Sequence, residues 1–164
     1  MDFSSFSSDV LATVIGGLVL ALLFFLAKEH MFPIPNVTGR WYFTQQTEHT
    51  AYHPYAGMAL QYVAMLWLEG NLVHGSVEKT HEKSSTGERS FVGHNRTRGI
   101  LQGYVQKNYL KRDRLFIHVI EDGHGRESTN FYDLTAEPDG TLIGSFQSMV
   151  ADQNGSVKWQ RDSF

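Results

Sequence analysis

Residues 114–135 read RLFIHVIEDGHGRESTNFYDLT, and this stretch decides the fold class. Two runs rich in β-branched and aromatic residues lie on either side of a glycine-containing turn, DGHG at 122–125. In the first run Leu115, Ile117 and Val119 alternate with their neighbours, so they fall on one face of a strand. A strand, a turn of this composition and a second strand predict an antiparallel hairpin.

The same pattern continues from Thr38 to the end of the chain, and no stretch there shows helical periodicity. Turn sequences containing Gly, Asn or Asp separate the runs. The predicted strands are residues 40–47, 59–69, 72–80, 89–96, 100–106, 114–121, 128–135, 141–149 and 156–161. Because closure removes the exposed edges of such a meander, we expect an all-β domain, a small antiparallel up-and-down β-barrel of about eight strands.

Alternation in other strands indicates which residues face the barrel interior. Trp41 and Phe43 share one face of the first strand, and Val157 and Trp159 share one face of the last. Residues 60–68 are apolar on both faces, so we expect this strand to meet a second surface: a partner subunit, a loop or a membrane.

An apolar run precedes the predicted barrel. Residues 10–27, VLATVIGGLVLALLFFLA, carry no charge, and as a helix they would span about 27 Å, close to the hydrocarbon thickness of a bilayer. A cleaved signal peptide is the alternative, but the leader MDFSSFSSD has no basic residue and no A-x-A-like cleavage site follows. We therefore predict a transmembrane anchor over residues 1–31, a Pro-containing linker over 32–37 and the barrel domain over 38–164.

The flanking charges predict the orientation of this single-pass anchor. Lys28 and Arg40 follow the span and no basic residue precedes it, which favours a cytoplasmic barrel domain. Thr13, Gly17 and Ala21 recur every four residues, so small side chains line one face of the helix. This strip favours self-association, and we expect a homo-oligomer.

The charge of the chain limits its partners. A net charge of −3 at pH 7 argues against binding of polymeric nucleic acid. The middle of the domain is nevertheless locally basic, which predicts either a positive field or an ordinary solvated face. The basic residues there are Arg96, Arg98, Lys107, Lys111, Arg112 and Arg114, interrupted only by Asp113.

Residues 39–41, Gly-Arg-Trp, at the start of the first strand and Arg161 after the last are similar to a pattern of lipocalin-type barrels. In that family an Arg stacks over the first-strand Trp and closes the barrel base, as a cation–π contact. Lipocalins are usually secreted and often contain disulfides, whereas this chain has no cysteine.

The layout of anchor, short linker and compact barrel resembles the SMODS-associated transmembrane-β family, the membrane-anchored effectors of bacterial CBASS-type anti-phage signalling. The resemblance implies that the barrel senses a cyclic di- or trinucleotide and that the anchors assemble to disrupt the inner membrane and its lipids. That family typically has two spans, and this chain has one.

A cyclic nucleotide requires guanidinium or ammonium groups for its phosphates and aromatic faces for its bases. The candidate ligand-binding residues are Arg96, Arg98, Tyr104, Lys107, Arg126, Asn130 and Tyr132, with Tyr109 and Ser128 beside them. Residues 126, 128, 130 and 132 alternate along one strand, so they share a face. If that face points inward it lines a polar pocket, and if it points outward it is a solvated surface.

No sequence motif indicates catalysis. The chain contains no GxSxG, Walker or GxGxxG sequence, and the spaced pair His49 and His53 lacks the further ligands of a metal site. We therefore expect neither an enzyme nor a bound metal or cofactor. Two other functions remain open: a membrane-tethered lipocalin-like carrier of an apolar ligand, and an anchored protein-interaction scaffold.

Overall fold

The computed structural model describes the backbone of residues 3–123 and 126–164, and the side chains of these residues apart from 3–7, Glu29 and Arg126. It divides into two compact units, Met1–Ile34 and Pro35–Phe164.

The first unit is a single helix, α1 (Phe3–Met31). Its segment Ser8–Lys28 is long and apolar enough to cross a membrane, and its described side chains are exposed to solvent rather than packed. The helix ends before Pro33 because proline disfavours helical backbone in the residue that precedes it. The predicted single N-terminal apolar helix is thus confirmed.

The second unit consists of antiparallel strands joined by tight turns. Their bounds are β1 Gly39–His49, β2 Ala59–Glu69, β3 Leu72–Ser84, β4 Gly87–Ser90, β5 Arg98–Gln106, β6 Arg114–Gly123, β7 Arg126–Ala136, β8 Leu142–Ser148 and β9 Gln153–Gln160. The neighbour order is β2-β1-β9-β8-β7-β6-β5-β3-β4, and β2 also pairs with β3. That last pairing closes a ring of eight strands, with β4 as an extra strand outside it. The predicted small up-and-down barrel is confirmed.

The predicted strand at residues 89–96 is wrong in its extent. β4 covers only Gly87–Ser90, and a single 3₁₀ turn follows at Gly93–Asn95. Gly93 has a φ of +61°, a left-handed conformation that interrupts a strand. β3 is correspondingly longer than predicted: Leu72–Glu78 pair with β5, and His81–Ser84 pair with β4.

The barrel interior is filled by aromatic rings. The ring of Phe43 stacks on Tyr62, with centroids 4.7 Å apart, and on Trp159, with centroids 4.0 Å apart. Tyr132 meets Phe43 and Trp159 edge to face. Stacked and edge-to-face rings are favourable beyond the apolar area they bury. These side chains occupy the apolar middle of the barrel.

The predicted inward faces are also confirmed. Leu115, Ile117 and Val119 are buried, as are Trp41 and Val157. In β2 the inward side chains are buried from position 60 to position 66, whereas the outward Met65 and Trp67 remain 43% and 51% exposed. The outer apolar face of this strand is therefore uncovered within the described barrel.

One end of the barrel is closed where the polypeptide enters it. Val37 and Trp41 are buried there, and the indole nitrogen of Trp41 donates a hydrogen bond to the Val37 carbonyl at 2.8 Å. Arg161 covers the outer face of the Trp41 ring. The polar residues of the interior lie towards the opposite end.

Candidate functional site

A polar pocket of about 570 Å³ occupies the end of the barrel opposite Trp41. Residues from the last part of β1, the start of β2 and the facing ends of β3, β6, β7 and β9 line it. Its polar side chains are Gln45, Lys79, Glu82, Thr97, Glu121, Glu127, Ser128, Asn130, Ser148 and Gln153, and its apolar and aromatic ones include Tyr55, Met58, Leu60, Tyr62 and Val150. The volume lies within the range of about 300–1,000 Å³ that is typical of small-molecule sites.

Glu121 is the most deeply placed carboxyl of the pocket, with 3% of its surface exposed. Its Oε1 accepts a hydrogen bond from Nδ2 of Asn130 at 3.0 Å, and the Tyr62 hydroxyl donates to the same carboxyl group. Burial raises the pKa of Glu121, while the nearby Lys79 ammonium and the Tyr62 hydroxyl pull it down. The site therefore contains a carboxyl group whose neutral form is stabilised by its surroundings.

Two further side-chain pairs fix the amide groups of the pocket. The Tyr132 hydroxyl donates to Oε1 of Gln45 at 2.9 Å, and the Thr47 hydroxyl donates to Oε1 of Gln153 at 3.1 Å. Burial raises the pKa of Tyr132 well above its ordinary value, so its hydroxyl stays a donor. The Gln153 amide nitrogen also donates to the Val150 carbonyl at 2.9 Å, so both amide groups have defined orientations in the wall of the pocket.

The charges around the pocket are mostly acidic. Among the side chains that the structure describes there, Glu82, Glu121 and Glu127 line the pocket together with one ammonium group, that of Lys79. The Lys79 Nζ lies 3.8 Å from a carboxylate oxygen of Glu82. Because carboxyl groups outnumber the ammonium group, the deep part of the cavity is better suited to an uncharged group rich in hydrogen-bond donors than to a phosphate.

The turn between β8 and β9 forms part of the rim and has a strained backbone. Ala151 and Asp152 have φ values of 55° and 50°, a left-handed conformation that is unfavourable for residues with a Cβ atom. The Ala151 carbonyl accepts hydrogen bonds from the Ala51 amide at 2.8 Å and the Thr50 hydroxyl at 3.1 Å. Strain of this kind is often found beside binding sites.

The structure answers which way the predicted polar face of β7 points. Asn130 and Tyr132 are buried inside the barrel, and Ser128 lines the pocket, so the face points inward. Tyr132 lies behind Gln45 rather than on the cavity surface. Arg126 begins β7, and its side chain lies outside the described part of the chain.

The other predicted ligand-binding residues lie on the outer wall, away from this pocket. Arg96 and Arg98 both pair with Glu78, at 3.0 and 3.1 Å, and Lys107 pairs with Asp113 at 2.7 Å. Tyr104 stacks on Phe116, and Tyr109 is exposed in the loop after β5. The structure therefore does not gather the basic segment into one site, and acidic neighbours offset much of its charge.

Sequence reasoning missed Glu121, Tyr62, Lys79 and Gln45. A usable signal was present: Glu121 continues the inward alternation of Leu115, Ile117 and Val119, as Gln45 continues that of Trp41 and Phe43. These polar residues occupy inward positions near one end of antiparallel strands. Polar residues that continue a buried alternation indicate a polar cavity.

The fold and the pocket define a class by architecture: a closed antiparallel β-barrel with an internal cavity, preceded in the sequence by one N-terminal apolar helix. The chain matches no known protein family, no curated protein sequence and no solved structure. Over residues 3–123 and 126–164, no group of three or more His, Asp or Glu side chains is placed to hold a metal ion.

Proposed function

We propose that this protein is a membrane-anchored sensor of a cyclic di- or trinucleotide. α1 holds it in the bacterial inner membrane, the barrel lies on the cytoplasmic side and binds the signal at its polar end, and the helices oligomerise to disrupt the membrane in anti-phage defence. The observation that supports this best is the polar cavity of about 570 Å³ in a barrel whose apolar interior is otherwise filled.

The chemistry of the pocket suits a nucleobase. Amide, carboxyl and hydroxyl groups can pair with the donors and acceptors on a base edge, and Glu121, Asn130 and Gln45 supply them. Tyr62 adds an aromatic ring to the lining, although its ring already stacks on Phe43. The phosphates of the ligand would pair with the Lys79 ammonium, which lies close to Glu82 and near enough to Glu121 to lower its pKa.

The alternative of a lipocalin-like carrier has less support. An apolar ligand needs an empty apolar volume, and the stack of Tyr62, Phe43 and Trp159 occupies the apolar middle of the barrel. The remaining cavity is lined by polar side chains together with apolar ones such as Met58 and Leu60, and desolvation of the polar groups by an apolar ligand is unfavourable.

Assembly requires that the ligand bind the oligomer more tightly than the resting protein. The small-residue face of α1 provides a surface at which helices can approach closely in lipid. A Cβ atom added at Gly16 or Gly17 would meet no other side chain of the helix within 4 Å, so α1 itself leaves room at this face.

Binding is tested with the full-length protein in detergent micelles and a panel of cyclic di- and trinucleotides. A ligand should raise the melting temperature in a concentration-dependent way, since it binds only the folded state. Asn130→Ala and Lys79→Ala should abolish the shift, whereas Lys107→Ala, a lysine on the outer wall, should retain it. If none of the cyclic nucleotides raises the melting temperature, the sensor proposal is contradicted. A rise caused only by fatty acids or apolar dyes would support the carrier instead.

The membrane part is tested separately in bacteria. The full chain should sediment with the inner membrane, and residues 35–164 alone should be released into the soluble fraction. Production of the active cyclic nucleotide should cause leakage of the inner membrane only with the full chain. Leakage caused by residues 35–164 alone would exclude a role for the helix.

A further inference from the structure

The outer wall of the barrel contains a second cavity, a groove of about 730 Å³ across β3, β5, β6, β7 and β8. Its described lining residues are all different from those of the interior pocket. The groove is therefore a separate concave feature on the outside of the barrel.

Strand register places aromatic and polar side chains in two adjacent rows on this wall. Directly paired positions across β2, β3, β5, β6, β7 and β8 give the first row, Trp67, His74, Gln102, His118, Phe131 and Gln147. The second row is Leu72, Tyr104, Phe116 and Asp133. Side chains at directly paired positions are close enough to contact one another.

The rings in these rows are stacked in pairs and present flat surfaces. His118 lies on Phe131 with centroids 4.6 Å apart and planes 8° from parallel. Tyr104 lies on Phe116 with centroids 5.2 Å apart. Phe131 and Tyr104 are still 48% and 45% exposed, so aromatic surface remains accessible beside the groove.

One polar atom of the groove lacks a partner. Nε2 of His118 is buried and makes no hydrogen bond within the described part of the chain. A buried polar atom without a partner is costly, and it is uncommon in native proteins. Gln102 and Gln147 also line the groove and offer amide groups in the same row as His118.

The charge of the groove limits what it can bind. Among the described lining residues the one carboxylate is that of Asp133, and it pairs with the Arg114 guanidinium. Arg114 in turn lies over the Phe116 ring at 4.9 Å. With these charges paired to each other, an uncharged ligand fits the groove better than an anion or a cation.

We propose that this groove is a second binding site, which takes a small, uncharged, planar heteroaromatic molecule with a hydrogen-bonding group on its edge. The ring lies against the aromatic surface of Phe131 and Tyr104, and its edge group pairs with Nε2 of His118, which neighbouring side chains cover in this structure and uncover when the ligand binds. The volume of about 730 Å³ is sufficient for such a molecule. The site does not depend on the function proposed for the interior pocket.

The test uses the full-length protein in detergent micelles and two probes of the same shape. Benzimidazole carries ring nitrogens at its edge, and indene has none. Binding is followed by NMR through the imidazole signals of the histidines, with protein-free micelles as the blank. Benzimidazole should shift the His118 signals and saturate, and indene should bind about fivefold or more weakly because it lacks the edge hydrogen bond.

Two variants of the groove and two control variants make the result specific. His118→Leu keeps a side chain of similar bulk and should weaken benzimidazole binding about fivefold while leaving indene unchanged. Phe131→Ala removes a partly exposed ring and should weaken both probes. Thr129→Ala, on the same strand outside the groove, should change neither, and Asn130→Ala in the interior pocket should also leave binding intact.

Several outcomes would overturn the proposal. Equal benzimidazole affinity in the wild type and in His118→Leu would show that the proposed hydrogen bond to His118 does not form. Equal affinity of both probes for the wild type and for Phe131→Ala would show that they do not lie against the Phe131 ring. A change of oligomeric state in Phe131→Ala, measured by sedimentation, with no probe binding to the wild type, would assign the groove to contact with a second copy instead.

Discussion

The guanidinium carbon of Arg161 lies 3.9 Å from the centroid of the Trp41 ring, and the same side chain ties the two ends of the barrel sequence together. Its Nη1 donates to the carbonyls of Thr38 and Arg40 at 3.0 and 3.2 Å, and its Nη2 donates to that of Asn36 at 3.1 Å. Arg161, which directly follows β9, thus holds the segment that leads into β1. The lipocalin-type resemblance implied this stacking, and the structure contains it.

Arg161→Ala should lower the free energy of unfolding by about 1–2 kcal/mol, because it removes a cation–π contact and charge-assisted hydrogen bonds at a partly exposed site. Arg161→Lys should recover only part of this loss, since an ammonium group cannot reach three carbonyls as a planar fork does. Urea denaturation followed by tryptophan fluorescence measures both. Arg114→Ala removes an exposed Arg over Phe116 and should cost less than about 1 kcal/mol. Equal losses at the two positions would contradict a closing role for Arg161.

Gly144→Ala should prevent folding or destabilise the barrel by more than about 3 kcal/mol. An added Cβ at Gly144 would lie 1.9 Å from the carbonyl oxygen of Asp133 on the paired strand, and that oxygen is backbone and cannot turn aside. Ser145→Ala, at the next position with an exposed side chain, should stay within about 0.5 kcal/mol of wild type. Thermal unfolding by circular dichroism compares the two. A folded Gly144→Ala protein of near wild-type stability would show that β7 and β8 are less closely packed than described.

Glu121 should make the barrel less stable as the pH rises. Its pKa is raised in the folded protein, so the native state binds more protons than the unfolded chain between the ordinary glutamate value of about 4.3 and the raised value. The stability that Glu121 contributes is fully present below the pKa of the unfolded chain. It is lost as the pH rises through the raised pKa of the folded protein. Glu121→Gln should flatten this dependence and should be more stable than wild type at neutral pH, since its amide oxygen can still accept from Asn130.

Urea denaturation at a series of pH values from about 4 to 8 measures the Glu121 contribution. Glu69→Gln, whose side chain is 81% exposed, is the control and should leave the wild-type slope in place. A Glu121→Gln slope identical to that of wild type would mean that another group controls the pH dependence.

Ala151→Gly should stabilise the protein by about 0.5–1 kcal/mol, because glycine adopts the φ of 55° without the steric cost that alanine carries. Ala56→Gly is the matched control, since Ala56 has a φ of −62° that suits alanine, and it should lower stability by about the same amount. Chemical denaturation measures both variants. If the strained turn contributes to ligand binding, Ala151→Gly should also alter the affinity of the interior pocket.

Local patterns in the sequence determined the fold class. The alternation of Leu115, Ile117 and Val119, and of Trp41 and Phe43, depends only on the two-residue period of a strand, and the charge-free run at 10–27 depends only on composition. Eight of the nine predicted strands lie close to the observed ones. The strand at 89–96 was wrong in extent because the left-handed Gly93 turn interrupts the chain there.

Tertiary structure decided which polar residues form a site. The closed ring of strands brings Tyr62 and Lys79 towards Glu121 inside the barrel, whereas Arg96, Arg98 and Lys107 pair with acids outside it. Tyr62 and Lys79 lie far from Glu121 in the sequence, so no local pattern specifies that these three side chains share a cavity. Which face of a strand points inward is likewise set by what the whole sheet encloses, so the alternation of Asn130 and Tyr132 alone does not specify that their face lines the interior.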